Sequence, residues 1–230
     1  TSVLKLFDLT AASTGLNEKQ ARAAGVAYDK VVTYSASHAS YYPGARNMTV
    51  KTLFDPASGR ILGAQIVGFD GVDKRMDVLA AAIRAGLTAE QLTELDLAYA
   101  PPYGSAKDPV NMAGYVIENV RAGLVEQHHW DAVAELPADG SVILLDVRTP
   151  GEVRKQGLLR SDALHIPLDE LRGRLGELDK GKKVYVNCYS GLRSYLACRI
   201  LSQHGFRCSN LSGGWRFWSY NATDRTHDPK

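Results

Sequence analysis

The sequence predicts an α+β domain, an antiparallel sheet with helices, followed by an α/β domain in which a small parallel sheet is covered by helices. Three observations carry this. A chain of 230 residues with 45% apolar content divides more comfortably into two domains than one. Its first half groups strand-like patterns ahead of helical ones, the order of an α+β unit. From Trp130 onward, bare apolar runs alternate with helical stretches, as strands covered on both faces do.

In chain order, residues 3–9 alternate apolar and polar side chains, and Thr14-Gly15 punctuates them. Asn17 with Glu18 and Gln20 then opens a helix running to Gly25, so strand, turn and helix are expected. Residues 30–37 are rich in β-branched and aromatic side chains, and 48–54, the turn Asp55-Pro56-Ala57-Ser58-Gly59 and 60–68 read as a hairpin. Helices follow over 73–85, closed by Gly86; over 88–95, opened by Thr88 with Gln91 at capping-box spacing; and over 109–122, closed by Gly123. In the second half, a short helix over 130–136 and a turn at 137–140 precede the apolar runs 142–145 and 184–186. A helix over 192–204 ends at Gly205. The predicted domains are therefore 1–123 and 130–220, with a linker at 124–129 and a loose polar tail at 221–230.

Residues 1–122 carry 12 basic and 12 acidic side chains and 123–230 carry 15 and 13, so neither half has the basic excess that nucleic acid demands. No apolar run approaches the roughly 18 residues of a spanning helix, and the opening residues lack signal-peptide order. A soluble, cytoplasmic chain with no membrane partner is expected. Cys188, Cys198 and Cys208 show no paired spacing, which predicts neither a disulfide framework nor a metal site. The chain starts at Thr1 rather than methionine, from which a fragment of a longer protein is expected.

Cys188 stands between a buried-type strand and a helix. Backbone N–H groups of a tight loop at a helix N-terminus favour an anion, so they favour a thiolate or persulfide there. Gly191 permits positive φ, Arg193 adds a cation, and Ser194 is placed to cap the helix. Alone, such a cysteine reads as a small buried apolar residue. Cysteine phosphatases also use a loop from Cys to Arg, but with five intervening residues and usually a preceding histidine; here there are four, 189–192, and Asn187 precedes. A phosphatase or arsenate-reductase-like reading is thereby the weaker alternative. Cys198 and Cys208 read as core residues rather than resolving thiols.

The runs Leu144-Leu145-Asp146-Val147-Arg148 with Glu152, His165-Ile166-Pro167-Leu168, Cys188-Tyr189-Ser190-Gly191-Leu192-Arg193-Ser194 and Leu211-Ser212-Gly213-Gly214-Trp215 occur in this order. This half resembles the rhodanese family over essentially its whole length. The resemblance implies a sulfurtransferase whose Cys188 carries a persulfide, cradled by Tyr189, Ser190, Gly191, Leu192, Arg193 and Ser194. Asp146, Arg148 and Glu152 read as an ion-pair set fixing the strand ends, with Asp146 and Arg148 in a supporting role. Trp215, Phe217 and Trp218 read as a core cluster or as a wall of the site's mouth.

The first half has no Gly-x-Gly-x-x-Gly and no cysteine, so by itself it is expected to bind no flavin or nicotinamide and to hold no redox thiol. It contains Lys5-Leu6-Phe7-Asp8-Leu9-Thr10, His38-Ala39-Ser40-Tyr41-Tyr42-Pro43-Gly44 and the run from Tyr99-Ala100-Pro101-Pro102-Tyr103 through Lys107-Asp108-Pro109-Val110-Asn111. These resemble the C-terminal dimerisation domain of the coenzyme A disulfide reductases and their NADH oxidase and NADH peroxidase relatives, a family in which fusion to a rhodanese domain is known. The resemblance implies a homodimer through residues 1–123 and N-terminal flavin and nucleotide domains lying outside this sequence. It also implies FAD, NAD(P)H and coenzyme A as ligands of the longer protein. Tyr41 and Tyr99 would reach into the partner subunit's active site, where a phenol can donate a proton to a departing thiolate. Tyr103 and Lys107 would support them, and His38 reads as structural. The combined expectation is that Cys188 takes a sulfane sulfur and passes it to a low-molecular-weight thiol or to a reductase centre. The alternative is a non-catalytic docking module.

Overall fold

The computed structural model describes residues 1–224 and separates the chain into two compact units, Thr1–Ala122 and Gly123–Lys230. The first is a five-stranded antiparallel sheet in the order β1-β2-β5-β4-β3, formed by β1 (Ser2–Leu6), β2 (Leu9–Gly15), β3 (Asp29–Ala36), β4 (Asn47–Phe54) and β5 (Ile61–Gly68). Its helices are α1 (Glu18–Ala23), α2 (Val72–Ala85), α3 (Ala89–Thr93) and α4 (Pro109–Arg121).

The expected single strand before the first helix is in fact a hairpin. The chain reverses at Phe7-Asp8, where Phe7 takes φ 51°, and β2 carries the small residues Thr10 to Ser13 back along β1. No glycine, proline or asparagine marks that turn, which is why one strand was expected. Gly15 ends β2 at φ 63°, where a Cβ would lie 2.3 Å from the Leu62 carbonyl oxygen. The other starts and stops follow their local chemistry. Asn17, Thr88 and Asp108 each accept an N-terminal amide in a full capping box, and Gly86 closes α2 in the left-handed region. The helix expected over 88–95 is shorter, ending at Thr93.

Alternation sets the core. Met48, Val50, Thr52 and Phe54 point inward from β4 and are buried, and Met76, Leu79 and Ile117 of α2 and α4 cover them. Two charged groups are buried beside this core. Glu18 accepts from Lys30 Nζ (2.8 Å), Lys51 and the Tyr28 hydroxyl (3.2 Å). Burial pushes its carboxyl up, yet the bonds from Lys30 and Lys51 outweigh this and hold it at about 2. Arg75 of α2, 1% exposed, donates from Nε and Nη2 to Asp108 (3.1 and 2.8 Å), from Nη2 to the Ser37 carbonyl (3.0 Å) and from Nη1 to the Gly71 carbonyl (3.2 Å).

The second unit is a five-stranded parallel sheet in the order β6-β10-β9-β7-β8, from β6 (Glu126–His128), β7 (Val142–Asp146), β8 (Leu164–His165), β9 (Lys183–Asn187) and β10 (Cys208–Leu211). The helices are α5 (Pro150–Gln156), α6 (Leu168–Leu171), α7 (Leu192–Gln203) and α8 (Gly214–Asp224), with 3-10 turns at Trp130–Glu135 and Leu175–Glu177. Parallel strands need crossovers, and these helices supply them. Two expectations are corrected. The supposed linker at 124–129 contains β6, an edge strand held by Ser209, Asn210 and Leu211 of β10. Of the supposed loose tail, 221–224 belong to α8, and 225–230 lie outside the described residues.

Replacing Arg75 with alanine leaves the Asp108 carboxylate buried without its cation, a change worth about 3–5 kcal/mol. Trp130, Trp215 and Trp218 all lie in the second unit, so the loss is expected in the urea transition followed by far-ultraviolet circular dichroism, while the transition followed by tryptophan fluorescence stays in place.

Candidate active site

β9 ends at Asn187 and delivers Cys188, fully buried, to the head of α7. The chain curls through Tyr189 and Ser190 to Gly191, whose φ of 101° and ψ of −19° only glycine adopts without strain. That curl turns the Gly191 N–H onto the thiol, 3.1 Å from Cys188 Sγ. Ser194 does not cap α7, as was expected. Gly191 occupies the N-cap position, and the Ser194 hydroxyl lies 3.2 Å from both Cys188 Sγ and the Gly191 carbonyl oxygen. A backbone amide and a hydroxyl thus converge on one sulfur at a helix N-terminus, an arrangement that stabilises negative charge there.

The loop is held from below by the start of α8. The Trp215 N–H donates to the Cys188 carbonyl (2.8 Å) and the Arg216 N–H to the Tyr189 carbonyl (3.0 Å). Gly214 sits so close that a Cβ would fall 2.6 Å from the Cys188 carbonyl oxygen and 2.8 Å from the Ser190 nitrogen. Asn210 of β10 donates to the Gly191 carbonyl at 3.2 Å. The Trp215 ring stacks on Tyr189 with centroids 6.4 Å apart, and Trp215 and Trp218 pack on Val133, Leu159 and Leu211. These aromatics therefore both build core and border the loop.

The charged residues arrange themselves differently from the single set expected. Asp146 and Arg148, both fully buried, form a pair in which Nη2 donates at 2.6 Å and Nε at 3.0 Å, and Arg148 also reaches the Gln156 side chain and the Gly157 carbonyl. Glu152 is not part of that pair. It accepts two bonds from Arg193 (2.7 and 2.6 Å) and closes the α5 capping box with Thr149. The Arg193 bonds, with those from Thr149, bring the Glu152 carboxyl down to about 2, and the same contact raises Arg193. Arg193 is thus a compensated cation beside the loop. Leu192 is the loop's exposed apolar residue, at 63%.

In the first unit, the structure brings Tyr41 and Tyr99 together from loops 58 residues apart, with their hydroxyls 3.4 Å from each other. Both rings are largely exposed, and the Tyr99 hydrogen bond raises the Tyr41 phenol above its ordinary value. The Ala39 N–H donates to the Pro101 carbonyl (3.3 Å) and joins the two loops. Beneath them, Arg75 holds Ser37 on one side and Asp108 on the other, a tie that sequence reading missed because an arginine in an amphipathic helix looks solvent-facing. His38 bonds the Ser37 hydroxyl and the Pro43 carbonyl. Tyr103 is exposed, and the Lys107 ammonium lies 5.2 Å from the centre of the Tyr115 ring. Among the described residues there is no cluster of three or more histidine, cysteine or acidic side chains able to hold a metal, and no helix long and apolar enough to cross a membrane.

Two family descriptions match the chain: the pyridine nucleotide-disulphide oxidoreductase dimerisation domain over residues 1–109, and the rhodanese-like domain over 129–221. The coenzyme A disulfide reductase of Staphylococcus haemolyticus is 45% identical over 115 residues, half of this chain and 26% of that protein. The reduced Bacillus anthracis CoADR-RHD structure superposes with a TM-score of 0.93 at 45% identity, covering 97% of this chain and 40% of that one. An NAD-dependent persulfide reductase from A. fulgidus superposes with a TM-score of 0.83 at 42% identity, covering 94% and 38%. The chain therefore spans about a quarter of the curated relative and two fifths of the solved ones.

Gly214→Ala is expected to lower the stability of the second unit by about 1–3 kcal/mol, since the residue holds φ 61° against backbone atoms. Urea unfolding followed by tryptophan fluorescence measures it.

The two matches, the antiparallel and parallel sheets and the superposition of nearly the whole chain on parts of two solved structures together place the chain: a pyridine nucleotide-disulphide oxidoreductase dimerisation domain is followed by a rhodanese-like domain, the first half similar to a coenzyme A disulfide reductase and the two together to a CoADR-RHD and a persulfide reductase.

Proposed function

We propose that Cys188 accepts a sulfane sulfur and carries it as a persulfide for a reductase centre in a longer protein. The observation that carries this reading is the convergence of the Gly191 N–H and the Ser194 hydroxyl on Cys188 Sγ. The thiolate attacks the outer sulfur of a polysulfide, thiosulfate or low-molecular-weight persulfide, and an S–S bond forms at Cys188. The bond from that sulfur to the donor breaks, and the donor leaves with the electron pair, as sulfite in the case of thiosulfate. The loop donors then hold the charge on the terminal sulfur. A low-molecular-weight thiol accepts the sulfur in the reverse sense. Because Cys188 is buried, small linear donors suit the site better than bulky ones.

FAD, NAD(P)H and coenzyme A are assigned to the longer protein. Neither half of this chain has a Gly-x-Gly-x-x-Gly to cradle a dinucleotide pyrophosphate, and no step here runs through those groups. The reading extends to a homodimer through residues 1–123. In it, Tyr41 and Tyr99 face the partner subunit's reaction centre and pass a proton between phenols to a leaving thiolate. Their 3.4 Å contact and their exposure suit that use.

After incubation with thiosulfate or polysulfide, intact mass is expected to show one added sulfur on the wild-type chain and none on Cys188→Ala. Equal gain in both would overturn the assignment, and no gain with any donor, together with no sulfur transfer to cyanide, would favour the docking-module reading. In a protein that includes the flavin and nucleotide domains, Tyr41→Phe is expected to lower persulfide reduction about 100-fold while sulfur loading on Cys188 is unchanged.

A further inference from the structure

The second unit holds another pair of thiols away from the sulfur loop. Cys198 sits within α7 and Cys208 opens β10, and both line a groove of about 360 Å³ bordered also by Val125, Glu126, Lys183 and Phe206. The Cys208 thiol lies 3.4 Å from the Cys198 carbonyl oxygen and against the Cys198 thiol, and neither is in a disulfide. Cys208, the thiol open to the groove, is set apart from Cys188. Cys208 aligns with Val184 on β9, four residues before Cys188, roughly 13 Å of strand away, too far for direct sulfur exchange.

The two thiols are unequal in ways that suit two roles. Cys198 is 1% exposed, whereas Cys208 is partly open to the groove. The Cys198 contact favours the Cys208 thiolate, helped by Ser202 and Lys183 and opposed by burial and Glu126, and the balance lies below the ordinary thiol value; the same contact and burial push the Cys198 thiol up. An accessible, more acidic thiol against a buried, less acidic one is the order in which a reactive and a resolving cysteine are arranged.

We propose that Cys208 and Cys198 form a second thiol–disulfide site, at which Cys208 attacks a low-molecular-weight disulfide in the groove and Cys198 resolves the product. In the first step the Cys208 thiolate forms a bond to one sulfur of the disulfide and the other half leaves as a thiolate. In the second, Cys198 gives its proton to the departing half, its sulfur bonds to Cys208 Sγ, and that half leaves as a thiol. The two cysteines are oxidised to one disulfide and the donor is reduced to two thiols.

The sequence makes the test direct, because trypsin places each cysteine in its own peptide: Cys188 in 184–193, Cys198 in 194–199 and Cys208 in 208–216. The chain is incubated with oxidised glutathione, alkylated in denaturant and digested. The expected result is 194–199 joined to 208–216, reversed by dithiothreitol. In Cys198→Ala, a glutathione adduct is expected to remain on Cys208. Recovery of both peptides in alkylated form, or a stable glutathione adduct on Cys208 while Cys198 is present, would overturn the proposal. The wild-type digest decides the matter even where the variant fails to fold.

Discussion

The shape of the sulfur loop depends on a contact between backbones. The Gly213-Gly214 corner enters the underside of residues 188–190 so closely that no side chain fits between, and the first amides of α8 satisfy the carbonyls of Cys188 and Tyr189. With those carbonyls turned down toward α8, the Gly191 N–H is free to turn toward the sulfur. A side chain at the contact would push the loop off α8, and the donors at the thiol would go with it. The thiol's surroundings are in this sense built by a segment more than twenty residues downstream of it.

The first unit solves a related problem with charge instead of glycine. Its two candidate phenols sit on exposed loops, where little packing fixes them. Arg75 is paired and each of its guanidinium nitrogens has an acceptor, which offsets the cost of burying it, and the same bonds pin the chain just before Tyr41 and the end of the loop that carries Tyr99. The exposed tyrosines are located by something neither of them touches.

What could be read from the sequence was mostly local. The Asp55 to Gly59 turn, the capping residues Asn17 and Thr88, and the glycine after α2 act on their immediate neighbours, and each sits where expected. The missed strands depend on distant partners. Thr10 to Ser13 become β2 by pairing with β5, and the polar Glu126-Gln127-His128 becomes β6 only because β10, some eighty residues on, offers an edge. The candidate site divides in the same way. Cys188, Gly191 and Arg193 lie within one legible motif, but the Glu152 partner of Arg193 is 41 residues away, and Ser194 faces the thiol rather than the helix end. The Cys198 and Cys208 thiols meet because a helix folds back on a strand, a proximity that their ten-residue spacing does not encode.

The pairing of Arg193 with Glu152 also decides what kind of field surrounds the loop at Cys188. A bare guanidinium would project attraction well beyond the loop and draw dianions ahead of neutral molecules. Here the carboxylate cancels most of it, and what remains over Cys188 is the dipole of α7, which fades within about one helical turn. Under the proposed function, charged and uncharged donors therefore arrive on nearly equal terms. In that proposed function, discrimination among donors then falls to the reactivity of the donor's own sulfur bond.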